Sequence, residues 1–212
     1  MELLTTFFDF LLHIDRYLVD LVAQYPVGVY GILFLIIFAE TGLVVFPFLP
    51  GDSILFAAGA LVAKPDSPLH LWLLLLLLMV AAIFGDFINY AIGQFFGLRL
   101  FRKDSRFFKP QSLARTQDFY AKYGNKTIVY ARFVPIVRTF APFVAGIGKM
   151  PYRHFVLYNA LGGILWVSLF ILAGYLFGQI SWIKNNFSLV VLCIVLASAI
   201  PPLLAYFNEK KK

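Results

Sequence analysis

Charged residues and cysteine are both scarce in this chain. Of its 212 residues only 14% are charged and one, Cys193, is a cysteine, whereas 61% are hydrophobic. An ordinary soluble domain carries about 25% charged residues, so the composition disfavours a soluble protein. A single cysteine also excludes a disulfide or a cysteine-based metal site within one chain.

The sequence also lacks the motifs of common soluble enzymes. It contains no G-x-S-x-G, no P-loop and no Cys/His cluster, and its three histidines do not share metal-ligand spacing. A hydrolase or ATPase of soluble type is therefore disfavoured, and we expect no enzyme activity, no cofactor and no metal. The basic excess of 18 over 11 acidic residues is concentrated beside apolar segments. That placement is typical of membrane topology and anionic lipid contact, so nucleic acid is not an expected partner.

Long apolar segments are what the sequence has in abundance. The segments 27–46, 69–97, 154–178 and 187–207 each reach the length of about 20 residues that spans a bilayer. The first contains only Glu40 as a charge, and the second contains only Asp86. The sequence therefore predicts four transmembrane helices.

The N-terminal region predicts an interfacial helix over residues 1–26. Glu2 and Asp9 stand where a secretory signal would need basic residues, so this segment is not expected to be cleaved. Aromatic residues, including Trp72, Trp166 and Trp182, make up 18% of the chain, which fits interfacial belts at the membrane surfaces together with a large lipid-facing area.

Orientation follows from the basic residues. Eight of them lie between Arg99 and Lys126, and three lysines end the chain; positive segments stay in the cytoplasm. With both segments inside, the chain between them must cross the membrane an even number of times, which 154–178 and 187–207 provide. The apolar segment 127–148 must then return to the side it left, as a re-entrant hairpin. The same reasoning makes 47–63 a hairpin that enters from outside.

The predicted fold is an all-α integral membrane protein with about four transmembrane helices and two opposed re-entrant hairpins. Each hairpin contains a proline followed by a glycine, and each following helix ends in G-x-x-x-G, at Gly93 to Gly97 and at Gly174 to Gly178. Such an inverted repeat is typical of transporters with a midplane site. The expected divisions of one transporter domain, 1–212, are 1–26 as interfacial helix, 27–97 as first repeat with hairpin 47–63, 98–126 as basic cytoplasmic loop, 127–178 as second repeat with hairpin 127–148, and 187–207 as last transmembrane helix.

Ionisable residues at membrane depth are functional candidates by default. Two acids of the first hairpin region, Glu40 and Asp52, are expected to face two arginines of the second, Arg132 and Arg138. Guanidinium groups bind phosphate bidentately, and carboxyl groups can carry protons. The alternative is that these charges are structural ion pairs tying the hairpins together. Expected supporting residues around the site are Asp86, Asn89, Pro50, Gly51, Pro135 and Pro142.

Three sequence patterns resemble one known family. They are Glu40-Thr-Gly-Leu followed by Phe48-Leu-Pro-Gly-Asp52-Ser, then Gly85-Asp86 with Asn89-Tyr90, Gly93 and Gly97, and finally the stretch from Ala131 through Arg-Phe-Val-Pro-Ile-Val-Arg to Gly146. Together they resemble the DedA family of bacterial inner-membrane proteins, the superfamily of the SNARE-associated or VTT domain. The resemblance covers nearly the whole chain.

The resemblance implies a transporter of the cytoplasmic membrane that depends on the proton motive force and maintains the envelope. In several members the substrate is undecaprenyl phosphate, a polyprenyl phosphate carrier, or a phospholipid. The family's essential acids match Glu40 and Asp52, and its essential arginines match Arg132 and Arg138. Expected partners are membrane lipids and protons. The termini are expected in the cytoplasm, and a homo-oligomer is compatible with this interpretation.

Two alternatives stay open. One is a proton-coupled antiporter of ions or small solutes, and the other is a non-transporting membrane protein.

Overall fold

The computed structural model describes residues 14–43, 51–100, 120, 123–186, 189–190 and 193–194. Over these residues the secondary structure is helical, without strands, as the predicted fold class requires. The helices are α1 (Ile14–Gln24), α2 (Gly28–Gly42), α3 (Gly51–Val62), α4 (Leu71–Leu100), α5 (Thr127–Ala131), α6 (Pro135–Ile147), α7 (Tyr152–Phe177) and α8 (Ser181–Asn185). Half of segment 1–26, most of 98–126 and most of 187–207 lie outside the described residues.

Two helices are long and apolar enough to cross a membrane. Their apolar stretches are Leu71–Phe96 and Tyr152–Phe177, each of 26 residues. At 1.5 Å per residue each is about 39 Å long, which exceeds the roughly 30 Å of the hydrocarbon core. They correspond to the predicted segments 69–97 and 154–178. By contrast α2, α3 and α6 are apolar but short.

The first hairpin is formed by α2 and α3 together. At one end the backbone N–H of His70, just before α4, donates to the Tyr30 hydroxyl near the start of α2 (2.7 Å). At the other end the Gly51 N–H, which begins α3, donates to the Glu40 carboxylate near the end of α2 (3.2 Å). The chain therefore runs along α2 and returns along α3 to the end where α2 began.

This arrangement differs from the expectation that 27–46 crosses the membrane and that only 47–63 forms a hairpin. Helix α2 has 15 residues and ends where Leu43 adopts an extended conformation, so its length is only about 22 Å. The buried Glu40 carboxylate satisfies an N–H at the start of α3, and a carboxylate is favourable at that end of a helix. This contact ties the two helix ends together, so the hairpin includes α2.

The second hairpin is formed by α5, a turn over 132–134, and α6. Val134 is extended, as residues before proline prefer, and Pro135 occupies the first turn of α6, where its missing N–H costs little. The Tyr120 hydroxyl donates to the Ala141 carbonyl (3.0 Å) and fastens the preceding chain to α6. Burial raises the pKa of Tyr120 above its usual range, so this hydroxyl remains a donor.

Each hairpin packs on the long helix of the other half through glycines. A Cβ atom added at Gly59 of α3 would meet the Ile171 carbonyl of α7, and one added at Gly174 would meet the Phe56 carbonyl. The contact between α6 and α4 repeats this pattern: a Cβ at Gly146 would meet the Tyr90 carbonyl, and one at Gly93 would meet the Phe143 carbonyl. The internal repeat predicted from the glycines thus corresponds to a repeated contact.

The hairpins open at opposite ends of α4. The first opens beside His70, whereas α6 runs from beside Asn89 to beside Gln94, towards the basic segment. Their inner ends meet beside the middle of α4 and α7. That meeting point contains the buried charges.

Candidate functional site

Five predicted charged residues converge where the two hairpins meet. Glu40 lies near the end of α2, Asp52 in the first turn of α3, Asp86 within α4, Arg132 in the turn before α6, and Arg138 in the first turns of α6. Four of them are buried, with Glu40 only 4% exposed, while the Asp52 side chain is 17% exposed. Sequence reasoning therefore identified the residues of one shared cluster.

Arg138 lies between the two acids of the first hairpin. Its Nη2 is 3.3 Å from Glu40 Oε2, and its Nη1 is 3.2 Å from Asp52 Oδ1. One guanidinium thus shares its charge between two carboxylates from different helices. This is the contact through which the second hairpin holds the inner end of the first.

Trp166 of α7 completes this part of the cluster. Its indole N–H donates to Asp52 Oδ1 (2.7 Å), and its ring centroid lies 3.8 Å from Arg138 Cζ. A desolvated cation–π contact of this kind contributes about 2 kcal/mol. The indole therefore contacts both members of an ion pair that joins the two hairpins.

The expectation of interfacial or lipid-facing tryptophans is wrong for Trp166. Trp72 and Trp182 are 75% and 60% exposed, but Trp166 has no exposed surface. The sequence signal that could have found it is its position well inside an apolar helix, whereas belt tryptophans lie near helix ends.

Arg132 pairs with a different acid from the one expected. Its Nη2 contacts Asp86 Oδ2 of α4 and donates to Asn159 Oδ1 of α7 (2.6 Å). The Asn159 amide in turn donates to the Ile83 carbonyl (3.0 Å). Asp86, predicted as a supporting residue, is thus the direct partner of Arg132, and Asn159 was missed by sequence reasoning. Both arginines were expected to face Glu40 and Asp52, but only Arg138 contacts these two acids directly.

Several predicted supporting residues connect the helices around the cluster. The Asn89 amide donates to the Thr41 carbonyl (3.2 Å) and to the Thr139 carbonyl (2.9 Å), so it joins α2 and α6 to α4. A Cβ atom at Gly51 would overlap the Glu40 carboxylate, which requires glycine there.

The three predicted prolines have different positions relative to the site. Pro142 lies inside α6 and leaves the Arg138 carbonyl without its usual helical donor. Pro135 lies in the turn that leads to Arg138. Pro50 lies outside the described residues.

Many buried polar atoms of the cluster have no hydrogen-bond partner among the described residues. They are Glu40 Oε2, Ser53 Oγ, Asn89 Oδ1, Nε and Nη1 of Arg132, and Nε and Nη2 of Arg138. Unmade hydrogen bonds of buried groups are costly, and guanidinium donors fit phosphate or carboxylate oxygens. The cluster thus has spare donors for an anion. Within the described residues no group of three or more His, Cys, Asp or Glu side chains is placed to hold a metal ion.

A cavity of about 800 Å³ lies elsewhere, between α1, the end of α3 and the segment 64–68. None of the five charged residues of the cluster lines this cavity.

These features define a class of protein. Over the described residues the chain is helical without strands, with two apolar helices of membrane length and a charged cluster beside them, which is typical of an integral membrane protein. The comparisons with known proteins agree: the VTT domain matches residues 49–176. Protein DedA of Escherichia coli K12 is 51% identical over 212 residues, which cover 100% of this chain and 97% of that protein.

More distant relatives are also named as membrane proteins. An uncharacterized membrane protein of Mycobacterium tuberculosis is 44% identical over 82% of this chain and 77% of its own length. The inner membrane protein YqjA of Escherichia coli K12 is 33% identical over 71% of this chain and 68% of its own length. The chain therefore belongs to the DedA family of VTT-domain membrane proteins. No solved structure matches it.

Proposed function

We propose that this protein is a transporter of the bacterial inner membrane that moves a lipid phosphate between the two leaflets and is driven by the proton motive force. Undecaprenyl phosphate or a phospholipid is the proposed substrate class, and no covalent step is involved. The observation that carries the proposal is Arg138, which is held between Glu40 and Asp52 where the two hairpins meet. There one cation can serve either the protein's own carboxylates or an incoming anion.

Phosphate recognition is supported by the free guanidinium donors. Among the described residues, Nε and Nη1 of Arg132 and Nε of Arg138 have no hydrogen-bond partner, and Arg138 Nη2 has only its ion pair with Glu40. A guanidinium presents its donors in a planar fork that matches phosphate oxygens. Because the two arginines share the site with acids, phosphate binding requires that the carboxylates withdraw or become protonated.

Proton coupling is supported by this competition. A carboxylate that loses Arg138 to a phosphate would be left as an unpaired buried charge, which costs several kcal/mol. Protonation of that carboxyl removes the charge, so anion binding and proton binding favour one another. Because proton and phosphate are then bound together, a proton gradient across the membrane can drive the movement of the lipid phosphate between the leaflets.

A lipid substrate is supported by the apolar outer surface of the long helices. Leu73, Leu76, Phe84 and Phe95 of α4 are half or more exposed, and a bilayer would cover such side chains. A lipid can keep its tail in the bilayer while only its phosphate passes the charged cluster. An ion or small-solute antiporter would have no need of this access.

One observation favours a structural role for part of the cluster. Arg132 contacts both Asp86 and Asn159, so α4 and α7 are tied to the turn before α6. If the whole cluster were structural, the protein would be a non-transporting membrane protein that stabilises the envelope by another route. The transport assay below separates these two functions.

The test uses the full chain in liposomes that carry tagged undecaprenyl phosphate in one leaflet. We expect transfer to the other leaflet that increases with an imposed pH gradient, and no transfer of undecaprenol, which lacks the phosphate. Phosphatidylglycerol and free inorganic phosphate, added in separate arms, distinguish phospholipid and solute substrates. Arg138→Gln should abolish transfer, whereas Lys64→Gln, an exposed change outside the cluster, should leave it unchanged. Equal transfer by Arg138→Gln and the unmodified protein would contradict the proposal.

A further inference from the structure

The five charges of the cluster do not balance. Glu40, Asp52 and Asp86 supply three carboxylates, and Arg132 and Arg138 supply two guanidinium groups. With every group ionised, the enclosed cluster carries one net negative charge. An uncompensated charge in a low-dielectric interior is costly, so the cluster favours one bound proton. The three carboxylates are the groups that can bind it, because arginine stays protonated.

The hydrogen bonds distinguish the three acids. Asp86 has Arg132 against its carboxylate. Asp52 Oδ1 accepts from the Trp166 indole N–H (2.7 Å) and from Arg138 Nη1 (3.2 Å). Donors to a carboxylate favour its ionised form, and Asp52 and Asp86 each have such a donor against a carboxylate oxygen.

Glu40 is held least firmly as an anion. Its Oε1 accepts one backbone N–H from Gly51 (3.2 Å), and its Oε2 has no hydrogen-bond partner among the described residues. Arg138 Nη2 is 3.3 Å from this oxygen, but that contact is an ion pair without hydrogen-bond geometry. The Glu40 side chain is also more completely buried than that of Asp52, at 6% against 17% exposed.

The charged groups around Glu40 come from three directions. Arg138 and Arg132 face it from the second hairpin, Asp52 from α3 and Asp86 from α4. Within the described residues, α1 is joined to the other end of α2. The two nearby acids oppose a charge on Glu40, whereas Arg138, already shared with Asp52, and Arg132, paired with Asp86, support it.

We propose that Glu40 rather than Asp52 binds the coupling proton, and that Trp166 is a positioning residue that keeps Asp52 ionised. The indole does so by donating its N–H to Asp52 and by keeping Arg138 Cζ over its ring, 3.8 Å from the centroid. Asp52 then remains a fixed counter-ion, while Glu40 releases Arg138 on protonation. One proton is bound per cluster. This inference rests on the proposed transport function but concerns a property of the protein without substrate.

The test is infrared difference spectroscopy of the full chain in lipid nanodiscs during a pH titration. Exposed carboxyl groups titrate alike in all variants and cancel when variants are compared. We expect a band from one buried protonated carboxyl in the unmodified protein and its loss in Glu40→Gln. In Asp52→Asn, where the remaining charges balance, we expect the band to persist but to appear at lower pH. Loss in Asp52→Asn with retention in Glu40→Gln would overturn the assignment.

The role of Trp166 is tested by Trp166→Phe, which keeps a ring beside Arg138 but removes the N–H donor. We expect a second band, from protonated Asp52, to appear at a higher pH than in the unmodified protein, and this change to disappear when Asp52→Asn is added. A merely structural role for Trp166 predicts no such band. A spectrum identical to that of the unmodified protein would therefore overturn this role.

A second measurement applies even if Trp166→Phe does not fold. Trp72→Phe with Trp182→Phe, two exposed positions, leaves Trp166 as the single indole for ¹⁵N NMR. Asp52→Asn changes the chemical shift of the Trp166 N–H signal, because it removes the charge that accepts this hydrogen bond. We expect the change in chemical shift during the pH titration of the protein with Asp52 intact to be much smaller than that. A shift as large as that of Asp52→Asn would show that the proton binds Asp52.

The result is distinguishable from failure of the transport proposal. If no buried carboxyl becomes protonated in any variant, both this inference and proton coupling are wrong, while gradient-independent leaflet transfer would remain measurable. If leaflet transfer fails but the Glu40 band is found, the substrate is wrong and the proton assignment stands.

Discussion

At the residue scale, the two arginines differ in what they hold. Arg138 is shared by two acids of the first hairpin and stacked on Trp166, whereas Arg132 is paired with Asp86 and Asn159. Both retain free donors on the same guanidinium. Charge alone therefore does not describe what either residue contributes, since the planar fork also sets which partners can be bound together.

We predict that Arg132→Lys and Arg138→Lys each abolish leaflet transfer while the protein remains folded in the membrane. Lysine keeps the positive charge, but its compact ammonium lacks the planar fork that presents two parallel donors to phosphate oxygens. The measurement is tagged lipid transfer beside size-exclusion chromatography in detergent. If lysine supports transfer as well as arginine at both positions, charge balance suffices and the bidentate account is wrong.

The residues themselves could be found from sequence, but their pairing could not. A charge in an apolar segment is visible without a structure, and all five members of the cluster were selected in this way. Which acid meets which arginine depends on the packing of helices far apart in sequence, so Asp86 was underrated. Trp166 and Asn159 were missed because an aromatic or amide residue inside an apolar helix carries no charge signal.

At the element scale, the close approach of backbones at four glycines fixes the hairpins against α4 and α7. The pairs are Gly59 with Gly174 and Gly93 with Gly146. Small residues at such positions let membrane helices approach closely. The glycine contacts fix the position of α3 along α7 and of α6 along α4. They therefore determine where the charged residues of the two hairpins meet.

We predict that Gly59→Ala and Gly146→Ala lower thermal stability in detergent and reduce transport. The added Cβ atom would meet a backbone carbonyl of the neighbouring helix, and overpacking of this kind costs about 1–3 kcal/mol. Gly31→Ala is the matched control, because a Cβ there meets nothing within 4 Å. A melting temperature for either variant equal to that of Gly31→Ala would contradict the role of these contacts.

The long helices were predicted closely, but the extent of the first hairpin was not. Segments 69–97 and 154–178 correspond to Leu71–Leu100 and Tyr152–Phe177, because uninterrupted apolar length is a direct sequence signal. An apolar run over 27–46 is equally compatible with a crossing and with a helix that stops short. The contact of Glu40 with Gly51 is what distinguishes them, and that contact is not readable from hydrophobicity.

At the scale of the whole molecule, the positions of the chain segments at the two ends of α4 give a test of topology. Lys64 follows the first hairpin, and α7 ends beside Ala60, since Gln179 donates to the Ala60 carbonyl (2.9 Å). The segment that contains Lys184 therefore emerges at the same end as Lys64. The second hairpin opens towards the basic segment at the opposite end.

We predict that cysteines at Lys64 and Lys184 react with an impermeant thiol reagent from outside the cell, while one at Lys126 does not. The background is Cys193→Ser, because Cys193 is exposed. Membrane disruption, after which Lys126→Cys should also react, is the control for intrinsic reactivity. Labelling of Lys64→Cys and Lys184→Cys from opposite sides would be incompatible with the two opposed hairpins.

The central claim is that the enclosed charge cluster couples protons to transport and does not only hold the helices together. The most direct measurement is gradient-driven leaflet transfer beside thermal stability in the same two variants, Glu40→Gln and Asp52→Asn. We predict that both variants insert and that neither responds to a pH gradient, Glu40→Gln because it lacks the proton-binding acid and Asp52→Asn because it lacks the counter-ion for Arg138. Glu40→Gln should be the more stable of the two because it mimics the protonated acid. Normal gradient-driven transfer in both variants would contradict the claim. A loss of folding stability of roughly 3–5 kcal/mol in each variant would also contradict it, because that loss is expected of purely structural ion pairs.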